Sequence, residues 1–156
     1  MKRRFRVLAL CLSLSMVVLA TTQRARATLG ESADSVASDR KILSAVRGTT
    51  TVHEGYTVHE IPSESTVVRE YVSPAGTVFG IAWNGLVHPD LTQLLGSYDG
   101  EYQEALRQTP RKQGQRALRV QANRVVVEKW GHLRNLQGRA YAPDLIPPGV
   151  SIDEIK

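Results

Sequence analysis

The hydrophobic pattern changes several times along the chain. Residues 7–20 form an apolar run broken only by two serines. From residue 50 to residue 83, β-branched and aromatic residues recur between turn-forming segments, which is typical of strands. A similar texture returns between residues 118 and 141, where a turn is predicted at Gly131–His132. The segments predicted as strands are Thr51–Ile61, Thr66–Val72, Thr77–Trp83, Leu118–Gln121, Arg124–Trp130 and Leu133–Tyr141.

The strand Thr77–Trp83 is apolar at nearly every position. Its odd positions from Phe79 to Trp83 are predicted to lie on one face and its even positions from Val78 to Ala82 on the other. Because both faces are apolar, we expect this strand to be central and covered on both sides.

Three helical segments are predicted from caps and apolar spacing. Ser32 or Asp34 can cap a helix that ends near Val46. A second helix begins at Pro89, with leucines spaced i, i+3 and i+4, and Gly96 ends or kinks it. The third repeats this spacing at Tyr102, Ala105 and Leu106 and stops at Pro110.

These elements predict an α+β fold, in which a small antiparallel sheet of about five hairpin-connected strands packs with one to three helices. Residues 28–150 form a single domain in this interpretation, and residues 151–156 form a C-terminal tail. A chain of this length supports one domain.

The N-terminal segment has the features of a cleaved signal peptide. Four basic residues precede the apolar run, and the polar region after it ends in Ala25-Arg26-Ala27, a small-x-small pattern that signal peptidase accepts. We therefore predict cleavage after Ala27 and export to the periplasm or the medium. The apolar run is too short for a stable transmembrane anchor.

Charge and cysteine content exclude several classes of protein. The formal net charge is +5, but residues 1–27 hold six basic residues and no acid, which leaves 14 basic against 15 acidic residues in the remainder. A nucleic-acid partner is therefore not expected. The single cysteine, Cys11, lies in the predicted signal peptide, so the mature chain has no disulfide, thiolate metal site or cysteine nucleophile.

The chain contains a set of short motifs at Arg69–Val72, Gly76–Phe79, Ala82–Gly85, Pro89–Tyr98, Gly131–Arg134 and Gly138–Pro143. Together they resemble an uncharacterised family of exported bacterial proteins, the domain of unknown function 2844. Leu86 and Asp99 depart from the family pattern, which often has proline and an aromatic residue at these places. The resemblance implies an exported single-domain protein and supplies no catalytic residue.

A repeat of Thr-Val-His-Glu places His53 and His59 six residues apart. On a straight strand, two such residues share a face but lie about 20 Å apart, which is too far for one metal ion. A bend at Gly55 would be needed to bring them together. We therefore expect a polar strand face, and no metal site or cofactor.

The loop after the central strand is the candidate ligand-binding site. It offers Trp83, Asn84, His88 and Asp90 at the junction between a strand and a helix. A helix start provides free N–H groups for an anion. The same residues also fit a purely structural role, since Asp in a first helical turn stabilises the helix dipole.

A basic surface is predicted in the second half of the chain. The predicted surface consists of Arg111, Lys112, Arg116 and Arg119. Such a surface could meet an anionic envelope component or an acidic protein partner, or it could keep strand edges soluble.

Two functions remain open. The first is a non-catalytic module of the cell envelope that docks on another exported protein. The second is a small-ligand-binding protein or hydrolase that uses the Trp83–Asp90 loop. The first is favoured because no catalytic motif is present in the sequence, and no catalytic residue is assigned.

Overall fold

A computed structural model describes residues 28–32, 48–110 and 114–156. The predicted signal peptide with Ala25 and Ala27 lies outside these residues, and so does the body of the helix predicted from Ser32 or Asp34 to near Val46. The strands are β1 (Thr49–His53), β2 (Tyr56–Pro62), β3 (Thr66–Val72), β4 (Val78–Gly85), β5 (Leu118–Gln121), β6 (Val126–His132) and β7 (Asn135–Tyr141). They form one seven-stranded antiparallel sheet in the order β1-β2-β3-β4-β7-β6-β5.

The helical run between β4 and β5 begins at Leu91, the first leucine of the predicted spacing, and not at Pro89 as predicted. Helix α1 (Leu91–Leu95) starts after Asp90, whose carboxylate accepts a hydrogen bond from the Thr92 backbone N–H. A 3₁₀ turn (Gly96–Tyr98) then leads into helix α2 (Asp99–Gln108). Within the described part of the chain, no helix is long and apolar enough to cross a membrane.

The sheet has more strands than predicted, so the protein is mainly β. The segment predicted as one strand, Thr51–Ile61, is a hairpin, because the chain turns at Gly55 (φ +86°) and His53 pairs with Tyr56. The hairpin between β6 and β7 also turns later than predicted. Gly131 still lies in β6, and the turn falls at Leu133–Arg134, with Arg134 in the left-handed region (φ +72°).

Each face of the sheet carries its own apolar core. The helix face packs against α1 and α2, and its buried residues include Ile81, Trp83, Leu95, Tyr102, Val127 and Ala140. The opposite face, here called the tail face, packs against residues 142–156, the C-terminal segment. Its buried residues are Tyr56, Tyr71, Phe79, Ala82, Val126, Tyr141 and Ile155. Strand β4 lies at the centre of the sheet and is covered on both sides, as predicted.

A β-bulge changes which residues of β4 share a face. Val72 pairs with Val78 and Tyr71 pairs with Gly80, so Phe79 is an extra residue in β4. The alternation therefore slips by one, and Phe79 joins the tail-face core while Ile81 remains on the helix face. The prediction that Phe79 and Ile81 share one face was wrong for this reason.

The C-terminal segment lies across the tail face. It contains two 3₁₀ turns, Pro143–Leu145 and Ile152–Glu154. Ile155 is fully buried, and an added Cβ on Gly80 would come within 2.9 Å of the Ile155 Cδ1 atom. The residues predicted as a C-terminal tail are therefore packed against the sheet.

Candidate functional site

A groove of about 630 Å³ lies on the tail face above β1, β2 and β3. The C-terminal segment supplies one wall. The lining residues are Thr49, Thr51, His53, Tyr56, Val58, Glu60, Arg69, Tyr71, Glu154 and Lys156. The groove exists because the β1–β2 hairpin extends the sheet beyond the region that the C-terminal segment covers.

Strand β1 provides the outer rim of the groove. Side chains alternate between the two faces of a strand, so Thr49, Thr51 and His53 face the groove. The His53 ring is stacked on the Tyr56 ring, with 4.8 Å between the centroids and 9° between the planes. The rim is solvent-exposed, and the groove is open on this side.

Two tyrosines attach the C-terminal wall to the sheet. The Tyr56 hydroxyl donates to Glu154 (2.8 Å), and the Tyr71 hydroxyl donates to the Lys156 carbonyl (2.8 Å). Burial and the hydrogen bond to Glu154 raise the pKa of Tyr56 to about 12, and burial raises the pKa of Tyr71. The Ser151 backbone N–H and the Tyr56 hydroxyl lower the pKa of Glu154. At neutral pH both phenols therefore stay protonated and Glu154 stays charged.

The floor of the groove contains an ion pair. Arg69 donates from Nε to Glu60 (2.9 Å) and from Nη1 to the Asn84 side chain (2.8 Å). The pair starts a row of directly opposed residues that crosses six strands: Glu60, Arg69, Ala82, Arg139, Glu128 and Arg119. The strand register therefore holds the Arg69 guanidinium in place.

The chemistry of the groove suits binding. Three of its charges have partners, since Arg69 pairs with Glu60 and Glu154 accepts from Tyr56. Among the described residues, no three His, Cys, Asp or Glu side chains are grouped as a metal site would require.

The hairpin separates the two histidines of the Thr-Val-His-Glu repeat. His53 faces the groove, whereas His59 lies 3.1 Å from the Thr50 hydroxyl on the opposite face of the same hairpin. The predicted single strand would have placed both on one face. The turn at Gly55 bends the chain as a metal site would need, yet it directs the two rings apart.

The four residues of the predicted loop site do not converge. Trp83 is buried on the helix face, and its indole N–H donates to His88 Nδ1 (2.9 Å). Burial lowers the pKa of His88, and the nearby Lys129 charge lowers it further. Asn84 lies on the tail face with Arg69, and Asp90 caps α1. Only Trp83 and His88 are brought together.

The predicted basic surface is partly paired. Arg119 forms an ion pair with Glu128 (2.9 Å), and an Arg116 nitrogen lies 3.5 Å from His132 Nδ1. Arg111 and Lys112 lie outside the described residues. Glu128 also pairs with Arg139, so one carboxylate partly neutralises two arginines on the tail face.

The family model for a protein of unknown function, DUF2844, matches residues 25–155. The chain belongs to the DUF2844 family. The resemblance found in its motifs is thereby confirmed. No curated protein and no solved structure matches the chain.

In this DUF2844 protein, sequence reasoning missed the groove. Glu60 belongs to the Thr-Val-His-Glu repeat and Arg69 to a family motif, but their pairing follows only from the β2–β3 register. The available signal was a pair of opposite charges at equal distances on either side of Ser63–Thr66. Sequence reasoning also missed Glu70, a fully buried carboxylate on the helix face, which lies between His59 and Ile81 in the strand register.

Proposed function

We propose that this protein is an exported, non-catalytic binding module of the cell envelope, and that the groove on the tail face holds a short segment of an exported protein partner. The observation that carries the proposal is the groove itself. Its volume of about 630 Å³ falls within the range of roughly 300–1,000 Å³ that is usual for binding sites.

The lining favours a segment with both polar and aromatic character. The His53–Tyr56 stack offers a flat surface at the rim for an apolar or aromatic side chain. Glu60, Arg69 and Lys156 offer both acceptors and donors to polar groups. Because the charges of the groove are of both signs, we expect a partner segment without a large net charge.

Export is supported by the N-terminal pattern. The basic start, the apolar run and the Ala25-Arg26-Ala27 ending have the order that signal peptides require. The remaining chain contains no cysteine, which is compatible with an oxidising compartment. The experiment below tests export and partner binding together.

The test is native mass spectrometry of the untagged protein, isolated gently from the envelope fraction of its own host. We expect a mass that corresponds to Thr28–Lys156 together with one stoichiometric protein. The variant Thr51→Trp fills the groove and should lose the partner. The matched control is Val52→Trp, which places the same ring on the opposite face of β1 and should keep it. A cleaved chain without a partner would contradict the docking function.

A second candidate is a small anionic ligand at the Trp83–Asp90 loop. His88 accepts from Trp83 through Nδ1, so its neutral form carries a proton on Nε2. Lys129 lies close enough to influence His88 and sits 5.5 Å from the centre of the Tyr102 ring. The Tyr102 hydroxyl is buried and has no hydrogen-bond partner among the described residues. Inorganic phosphate should then shift the Trp83 indole NMR resonance saturably, and an unchanged resonance would reject this site.

A further inference from the structure

Three loops meet at one end of the sheet, here called the loop end. Gly85 at the end of β4 is opposite both Thr66 of β3 and Leu136 of β7. The β2–β3 turn, the β4–α1 loop and the β6–β7 turn therefore all project from the same end of the sheet. The chain also enters β5 at this end, because Leu118 pairs with Lys129.

The loop end holds three large apolar side chains in solvent. Leu133 at the β6–β7 turn is 96% exposed, and Leu86 and Val87 in the β4–α1 loop are 55% and 50% exposed. The opposite end of the sheet carries Val52, which is 78% exposed. The Arg134 backbone adopts a left-handed conformation that projects Leu133 from a tight two-residue turn.

Positive charge surrounds Leu133. Arg134 is its neighbour in the turn, and Arg116 approaches His132 from the segment before β5. No acidic residue occurs in residues 114–117 or 131–136, and neither arginine forms an ion pair within the described chain. Of the acidic residues in the other two loops, Glu64 is exposed, and the Asp90 carboxylate is occupied in capping α1.

Trp130 lies just behind this tip, one residue before Gly131 in β6. Its ring is half-buried on the tail face, and its indole N–H donates to the Gln137 side chain (3.1 Å). The Arg139 guanidinium lies 5.9 Å from the centre of the Trp130 ring. Tryptophan is enriched at the boundary between lipid and water.

We propose that the loop end docks the protein on an anionic lipid surface. Leu133, Leu86 and Val87 enter the boundary between headgroups and acyl chains, and Arg116 and Arg134 face the lipid phosphates. The apolar side chains are divided between two loops, with Leu86 and Val87 in one and Leu133 in the other. Cationic groups beside them complement a negative membrane surface. This inference deepens the proposed envelope function and rests on export.

The test is co-sedimentation of the purified mature protein with vesicles. We expect binding to a mixture of phosphatidylcholine and phosphatidylglycerol, weakened by added salt, and little binding to phosphatidylcholine alone. Leu133→Ser should lower the partition coefficient about tenfold, because it removes an apolar side chain that the proposal places in the lipid. Arg134→Asn, which tolerates the left-handed backbone, should lower it about fivefold. The control Val52→Ser should leave it unchanged.

Equal binding to both kinds of vesicle, or equal losses in Leu133→Ser and Val52→Ser, would overturn the lipid proposal. So would the absence of vesicle binding in a folded wild-type protein. If instead a co-purified protein were lost only in Leu133→Ser, the loop end would be assigned to that protein partner. Vesicle binding is measured with the purified chain, so its failure is distinguishable from a failure of export or of the groove, which the Thr51→Trp comparison tests.

Discussion

The docking of the C-terminal segment depends on one buried side chain. Ile155 is 0% exposed and packs against Gly80 in the tail-face core. Ile155→Ala removes three carbon groups, and at about 0.8 kcal/mol each the lost transfer free energy is about 2.4 kcal/mol. The cavity left behind adds to this, so the free energy of unfolding should fall by about 2–5 kcal/mol.

The matched control is Ile152→Ala, three residues earlier in the same segment. Ile152 is 37% exposed, so by the same value per carbon group its truncation should lower the free energy of unfolding by only about 1.5 kcal/mol. Urea unfolding of both variants, monitored by tryptophan fluorescence, measures the difference. If the two substitutions lower the free energy of unfolding equally, Ile155 does not anchor the segment, and the C-terminal segment does not form the groove wall.

Three further predictions concern other contacts. His88→Leu should lower the free energy of unfolding by about 1–3 kcal/mol in urea titrations, because it leaves the buried Trp83 N–H unpaired. His88→Asn keeps an acceptor and should lower it less, so equal losses in the two variants would refute this. Gly138→Ala should destabilise the protein by about 1–3 kcal/mol, since the new methyl group overlaps the Trp83 ring. In the same assay Gly100→Ala in α2, whose new methyl group meets no neighbour, should stabilise the protein by up to about 1 kcal/mol. Because the pKa of Glu154 is lowered in the folded protein, its charged form stabilises the fold above the normal carboxyl pKa, and this stability is lost as pH falls through the lowered value. The melting temperature of the wild type should therefore drop more below about pH 4 than that of Glu154→Gln. Parallel curves of melting temperature against pH would contradict this.

Local patterns predicted the helical run and most strands well. The leucine spacing that predicts α1 and the cap at Asp90 lie within a few residues of each other, so α1 could be predicted without tertiary information. The β1–β2 hairpin was missed because Gly55 was the only conspicuous turn residue in an otherwise strand-like segment. The bulge at Phe79 could not be predicted, because it is defined by the register with β3.

The groove was harder to predict than the strands that form it. Its wall joins Tyr56 to Glu154, 98 residues apart, and its floor needs the β2–β3 register. A site was predicted in the Trp83–Asp90 loop because its polar residues lie close together in the sequence. In a strand-to-helix transition, however, consecutive side chains point in different directions, and Asn84 is on the other face of the sheet from His88.

The most direct test of the binding function is site-specific photo-crosslinking from β1 in the native host. A photoreactive phenylalanine analogue replaces either Thr51, which faces the groove, or Val52, which faces away from it on the same strand. We predict a single crosslinked protein adduct of the exported chain from position 51 and none from position 52. No adduct at position 51, or equal adducts from both positions, would contradict the account of the groove as a binding site.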